Sequence, residues 1–323
     1  MEHQEELVKR AGLALISLAA VACSTVIGPG MQTHPAGEVF ATTPLAGEPY
    51  GVAISPSGDV LIAQVLGGVI SHCHLPDTRL VARLESGYQP VHIAFDVAGA
   101  RAYLVNQGGQ YLRVVQLAPF VIIDSLRLTN DGFNVAVHPN GGRAYVTTGD
   151  GRVYVVATAT IRVVDSMRVG SSANGLAFSP DGRRLYISSR DAGTITSFDT
   201  ETDNPIDTLV TTGAPQRIVI SRDGTTLFVA NERHGIDVVS VSTGLLEPGI
   251  PLDGAAYGLA LTPDGKQLYA TNPRTGNVFI IDVASSQILK TLSVGGAPRN
   301  VAFNYDGRIA IVTDGDGRVI FIQ

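Results

Sequence analysis

The sequence predicts an all-β chain folded as a seven-bladed β-propeller of four-stranded antiparallel blades, and three observations predict it. A turn glycine recurs at Gly58, Gly99, Gly141, Gly182, Gly224, Gly265 and Gly307, with successive spacings of 41, 42, 41, 42, 41 and 42 residues. Apolar runs rich in β-branched residues, such as "LYIS", "LFVA", "AYVT" and "IAIVT", flank these turns. Each repeat has room for four such runs, for example 175–179, 184–188, 194–199 and 206–211; a period of roughly 40–45 residues with four strands is that of a propeller blade.

The turns read "SPSG", "DVAG", "HPNG", "SPDG", "SRDG", "TPDG" and "NYDG". Asp, Asn and Gly accept the backbone angles of a tight reversal, so each is a hairpin between the first and second strands. The strands are apolar along their length, which requires both sheet faces to be covered, as when blades stack against neighbours. In the first strand Ala53, Ala94, Ala136, Ala177, Ala260 and Ala302 recur, with Val219 the exception. Small side chains suit a wedge where blades crowd toward the axis.

The last repeat supplies three strands, in "RNVAFN", "IAIVT" and "RVIFI". The missing outer strand is expected from the N-terminal side, because "GEVFATTPLAGEPYG" at 37–51 resembles the end of a blade, "SQILKTLSVGGAPRN" at 286–300. The expected blades are 47–86, 87–129, 130–169, 170–211, 212–252, 253–294, and 295–323 completed by 37–46, within a propeller domain of 31–323. This closure covers edges that an open sheet would expose to aggregation.

Residues 1–30 are expected to be a leader. Lys9 and Arg10 precede the 17-residue apolar stretch "AGLALISLAAVACSTVI", short for a relaxed membrane span and suited to a signal h-region. Cleavage after Ala20-Val21-Ala22, lipidation at Cys23 and retention as a membrane anchor all stay open. The expected location is the periplasm or the outer side of the cytoplasmic membrane. Cys23 and Cys73 are the only cysteines, so no disulfide framework holds the fold. A net charge of −6 without a run of Lys or Arg argues against nucleic-acid partners.

"AFSPDGRRLYIS", "IVISRDGTTLFVAN", and "ALTPDGKQLYATN" with "NVFIIDVASSQILKTLSVG" resemble the YVTN-repeat β-propellers, a group that includes YncE-like exported proteins and borders the lactonase-type propellers. The resemblance covers 37–323 and implies the fold. The shared motif is blade scaffolding, so function has to be read from a site.

Residues opening the first strand of each blade ring the channel mouth. Aligning the repeats gives one ring of Tyr50, Val91, Phe133, Asn174, Gln216, Tyr257 and Arg299, and a second of Gly51, His92, Asn134, Gly175, Arg217, Gly258 and Asn300. Neither ring contains a carboxylate, which argues against a calcium site and against a glycosidase pair. No CxxC, HExxH, GxSxG or phosphate loop is present, so no metal or other cofactor is expected.

The expected ligand-binding residues are Tyr50, His92, Asn134, Asn174, Gln216, Arg217, Tyr257, Arg299 and Asn300, supplemented by Arg190, Arg233, His234 and Arg274 from neighbouring loops. Guanidinium groups present a planar fork to carboxylate or phosphate. The expected partner is a small anionic ligand or an acidic loop of another protein, held near Arg217 and Arg299 by a monomer acting as a noncatalytic scaffold. Asp191 and Glu232 stand close enough in sequence to neutralise Arg190 and Arg233, which is the structural alternative. The resemblance to lactonase-type and lyase-type propellers implies a second function, action on a small cyclic ester, with Arg217 or Arg299 polarising the substrate and His92 as base. The asparagine position of the YVTN motif holds Asn106, Asn231 and Asn272, replaced by Thr148, Ser189 and Asp314, with Val65 as the departure; backbone-bonding roles are expected there.

Overall fold

The computed structural model describes residues 35–323; the expected leader and Cys23 lie outside the described residues. These residues form seven four-stranded antiparallel sheets. Blade 4 shows the pattern: an inner strand Ala173–Phe178, a second Arg184–Ser189, a third Thr194–Asp199 and an outer Pro205–Val210, paired in that order. Blade 6 departs in its inner strand, which is reduced to Leu259–Leu261.

Blade 7 is made from both ends of the propeller sequence. Pro298–Phe303, Ala310–Asp314 and Arg318–Ile322 are completed by Val39–Pro44, which pairs antiparallel with Arg318–Ile322. Thr42 stands opposite Ile320 and Thr43 opposite Val319. Glu38 and Gln323 exchange two backbone hydrogen bonds of 2.9 Å, and the Leu45 N–H donates to the Gly317 carbonyl at 2.8 Å. The N-terminal strand therefore closes the ring, as the likeness of 37–51 to 286–300 predicts.

Seven apolar clusters hold the described residues together, one at each blade junction. Each contains the recurrent small residue of one inner strand, from Ala53 between blades 1 and 2 to Ala302 between blades 7 and 1. Second and third strands supply most of the buried side chains, among them Tyr103, Tyr145 and Tyr269. Outer strands face water: in Arg162–Arg168 only Met167 is buried. Burial on both sides of the middle strands explains why they read as unbroken apolar runs instead of alternating ones.

The YVTN asparagine position ties the second strand to the loop that enters its blade. Asn106 Nδ2 donates to the carbonyls of Ser86, Gly87 and Tyr88, Asn272 Nδ2 to Asp253 and Ser189 Oγ to Ser171. In blade 1 this position is held by Gln64 and not by Val65. The first hairpin there closes with Ser55 N–H donating to Asp59, four residues on, whereas blade 4 closes from Ser179 to Arg184, five residues on. One residue fewer in the turn moves the register back by one, and the longer Gln64 side chain reaches the Ala46 carbonyl.

Candidate functional site

Two sets of loops share one face of the ring. Those entering the inner strands are bonded to those between second and third strands, as in Gln107 N–H to Gln89 (2.8 Å), Arg190 N–H to Ser172 (2.9 Å) and Gly315 N–H to Ala297 (2.9 Å). This is the channel mouth, and its rim residues are positioned from the neighbouring blade. Hydroxyl groups on second strands donate to ring carbonyls of the next blade: Thr147 to Asn174 at 3.0 Å, Ser188 to Gln216 at 2.8 Å, Thr271 to Arg299 at 2.6 Å and Thr313 to Tyr50 at 2.5 Å. The hydroxyls that look like ordinary strand residues thus help set the height and direction of four of the seven rim residues.

Eight of the nine expected ligand residues line one small cavity in the channel. Tyr50, His92, Asn134, Asn174, Gln216, Arg217, Tyr257 and Asn300 surround about 30 Å³, with Phe133 as a further wall. Arg217 spans it: Nη1 donates to His92 Nε2 at 2.7 Å and Nη2 to Asn300 Oδ1. Asn300 Nδ2 in turn donates to the Tyr50 carbonyl at 2.9 Å. Tyr50 and Tyr257 meet hydroxyl to hydroxyl, with their rings edge to face and 6.1 Å apart. Asn174 donates to Gln216, which donates to Glu232 at the mouth.

Arg299 is the ninth, and it lies outside this cavity. Its guanidinium carbon stands 5.8 Å from the Tyr50 ring centre and 5.6 Å from that of Tyr257, and Nη2 reaches Glu48 Oε1 at 3.5 Å. Its charge is accounted for by two rings and a carboxylate. Arg217 has no such partner.

The electrostatics follow from depth. Burial first, then the adjacent Arg217 guanidinium, holds the His92 imidazole well below its ordinary pKa, so it is neutral at physiological pH. Arg217 can only donate, so the lone pair of His92 Nε2 is engaged and the ring proton resides on Nδ1. Burial, followed by the neighbouring Tyr257, pushes the Tyr50 phenol well above its usual value. The channel is therefore a network of neutral donors and acceptors around one guanidinium.

The supplementary rim residues sort differently from the sequence expectation. Arg190 holds both expected acids, Glu232 at 2.6 Å and Asp191 at 2.9 Å, leaving Arg233 exposed without a side-chain partner among the described residues. A mouth cleft of about 440 Å³ between blades 4 and 5 is lined by Arg190, Asp191, Glu232 and Arg233. His234 contacts Thr212 and lies 3.4 Å from Asp237, away from the cavity; Arg274 is exposed.

Histidines on the opposite face have local partners. His138 Nε2 bonds the Gly182 carbonyl at 2.9 Å. His72 and His74 both meet Asp59 Oδ1, at 2.9 and 3.0 Å, while Cys73 points to the other side of the strand into the core. Burial, with help from Asp77 and Asp59, pushes its thiol up to about 11, so it is an inert packing residue. A cleft of about 830 Å³ between blades 5 and 6 contains none of the ring residues.

Sequence alignment of the rings overlooked Glu48, which is not a ring residue, and Glu232 was expected only as a neutralising acid for Arg190 and Arg233. Each arrives from a flanking loop, Glu48 two residues before Tyr50 and Glu232 directly after Asn231. For Glu48, proximity to the ring position Tyr50 was the available signal.

A family model for the lactonase seven-bladed β-propellers matches residues 49–249. The chain belongs to this family. Among solved structures, this lactonase-family propeller is similar to a chain of Kuenenia stuttgartiensis hydrazine synthase, with a TM-score of 0.80 and 17% identity over 88% of this chain and 97% of that one. At that identity the likeness concerns the fold. Among curated proteins none matches.

Proposed function

We propose that this lactonase-family propeller is a noncatalytic scaffold whose mouth face binds a carboxylate-bearing ligand or acidic loop at the cleft around Arg233. The observation that carries this reading is the state of the channel beneath. About 30 Å³ separates the residues that would act on an ester, room for one water-sized particle and none for a lactone ring. His92, the only base there, has its Nε2 lone pair directed at Arg217. The mouth cleft is larger by an order of magnitude and presents an unpaired guanidinium.

A labelled poly-glutamate heptapeptide is expected to bind saturably, with affinity weakened about tenfold by Arg233→Ala, the usual cost of losing a charge-assisted hydrogen bond. Equal binding by the variant contradicts the reading. The second reading, hydrolysis of a small cyclic ester, is favoured by the family match. It predicts turnover of γ-butyrolactone or δ-gluconolactone that disappears in His92→Ala; the scaffold reading predicts no rate above the spontaneous one.

We further propose that the chain is a YVTN-repeat, YncE-like protein exported to the cell envelope and tethered through Cys23. The motif "LYATN" and the apolar stretch 11–27 behind Lys9 and Arg10 support this. Fatty-acid labelling that is lost in Cys23→Ser is the expected result; full-length unlabelled protein in the cytosolic fraction contradicts it.

A further inference from the structure

The channel guanidinium has no counter-charge among the side chains that line its cavity. Arg217 faces the small cavity and is half-buried, and the protein around it works against its charge. It cannot discard that charge, because arginine stays protonated in proteins. Its hydrogen bonds go to neutral partners, the His92 imidazole and the Asn300 amide oxygen, and its remaining N–H groups have no protein partner among the described residues. A half-buried charge flanked only by neutral groups is stabilised by a counter-charge placed against it.

Each carboxylate near the channel is already committed at the rim. Glu48 pairs with Arg299, and Glu232 with Arg190. Gln216 stands between Glu232 and the cavity, donating its amide to that carboxylate. A tyrosinate does not serve either: Tyr50, the phenol that bonds Tyr257, is held neutral by its surroundings. The other lining groups are amides, a phenol and a phenyl ring. Amide and phenol N–H and O–H groups are the donors that solvate an anion, and the volume of about 30 Å³ suits one particle the size of a water molecule.

We infer that the channel cavity binds a single monatomic anion, a halide, against the Arg217 guanidinium. The ion completes the charge balance of the channel and sits among residues drawn from all seven blades. Carboxylates and other polyatomic anions are excluded by size unless the Tyr50–Tyr257 pair parts. This site is separate from the mouth cleft around Arg233, so binding of acidic peptides there has no bearing on it.

Two measurements on the intact protein test the inference. At constant ionic strength, balanced with sulfate, the thermal midpoint is expected to climb by about 2–4 °C for each tenfold rise in chloride or bromide above the dissociation constant. The same titration of Arg217→Gln is expected to be flat. Crystals grown in bromide are expected to show an anomalous peak within hydrogen-bond reach of the Arg217 guanidinium. That second measurement needs no variant, so it stands even if Arg217→Gln fails to fold. A wild-type midpoint independent of halide, or a cavity holding only water in bromide crystals, overturns the site.

Discussion

Deleting residues 37–46 is expected to open the ring and abolish the cooperative fold. The deletion removes the whole Val39–Pro44 strand and Leu45, which is 5% exposed in the cluster joining blades 7 and 1. It also uncovers Phe321 and Val319 from one side, and leaves the backbone of Arg318–Ile322 as an unpaired edge. A handful of ladder hydrogen bonds at about 1 kcal/mol each, with one buried leucine and part of a phenylalanine, sums to about 5–8 kcal/mol, comparable with the stability of a typical domain. Aggregation through the new edge should follow. The check is a urea transition monitored by tyrosine fluorescence and by circular dichroism. Superimposable curves for the deletion and the full chain would remove the N-terminal strand from the fold.

The combined change Gly175→Ala with Gly258→Ala is expected to destabilise by about 1–3 kcal/mol at each site, adding because the two belong to different junctions. Neither glycine is required for a left-handed backbone; each is required for a close approach. A Cβ on Gly175 would overlap the Gln216 carbonyl, and one on Gly258 the Arg299 carbonyl. The overlapped atoms are backbone, so relief requires moving the inner strand of the next blade. Those same carbonyls accept from Ser188 and Thr271. The variants should therefore also displace Gln216 and Arg299 from their places at the mouth. Alanine variants as stable as the wild type in urea would mean that the blades have slack at the axis.

These glycines show how far the sequence was legible. The second ring mixes three glycines with four large polar residues, and this pattern can be read from the repeat alone. Its cause cannot: glycine marks the junctions where the next inner strand presses closest, while His92, Arg217 and Asn300 stand where there is room to enter the channel. The turn glycines and the alanine positions announced the blade count because they answer a demand repeated seven times. Gln64 escaped because blade 1 shortens its first turn by one residue, a local change that a fixed offset from Gly58 cannot register.

The site was less legible than the fold for a different reason. Ring alignment brought together eight residues that share the cavity, since the propeller maps equal offsets to equal heights. It did not reveal pairing across the ring. Arg217 and His92 are separated by 125 positions, and Tyr50 and Tyr257 by 207; no local pattern relates them. The competition among Arg190, Arg233, Asp191 and Glu232 was also open in sequence, and side-chain reach decided it in favour of Arg190 holding both acids.

Amide hydrogen exchange on the intact protein tests the closed ring most directly. Arg318–Ile322 is flanked by Val39–Pro44 on one side and Ala310–Asp314 on the other, so its amides should exchange as slowly as those of the equally enclosed strand Thr194–Asp199. If alternate amides of Arg318–Ile322 exchange at the rate of an open sheet edge, the N-terminal strand is not in place, and the channel geometry built on a seventh complete blade fails with it.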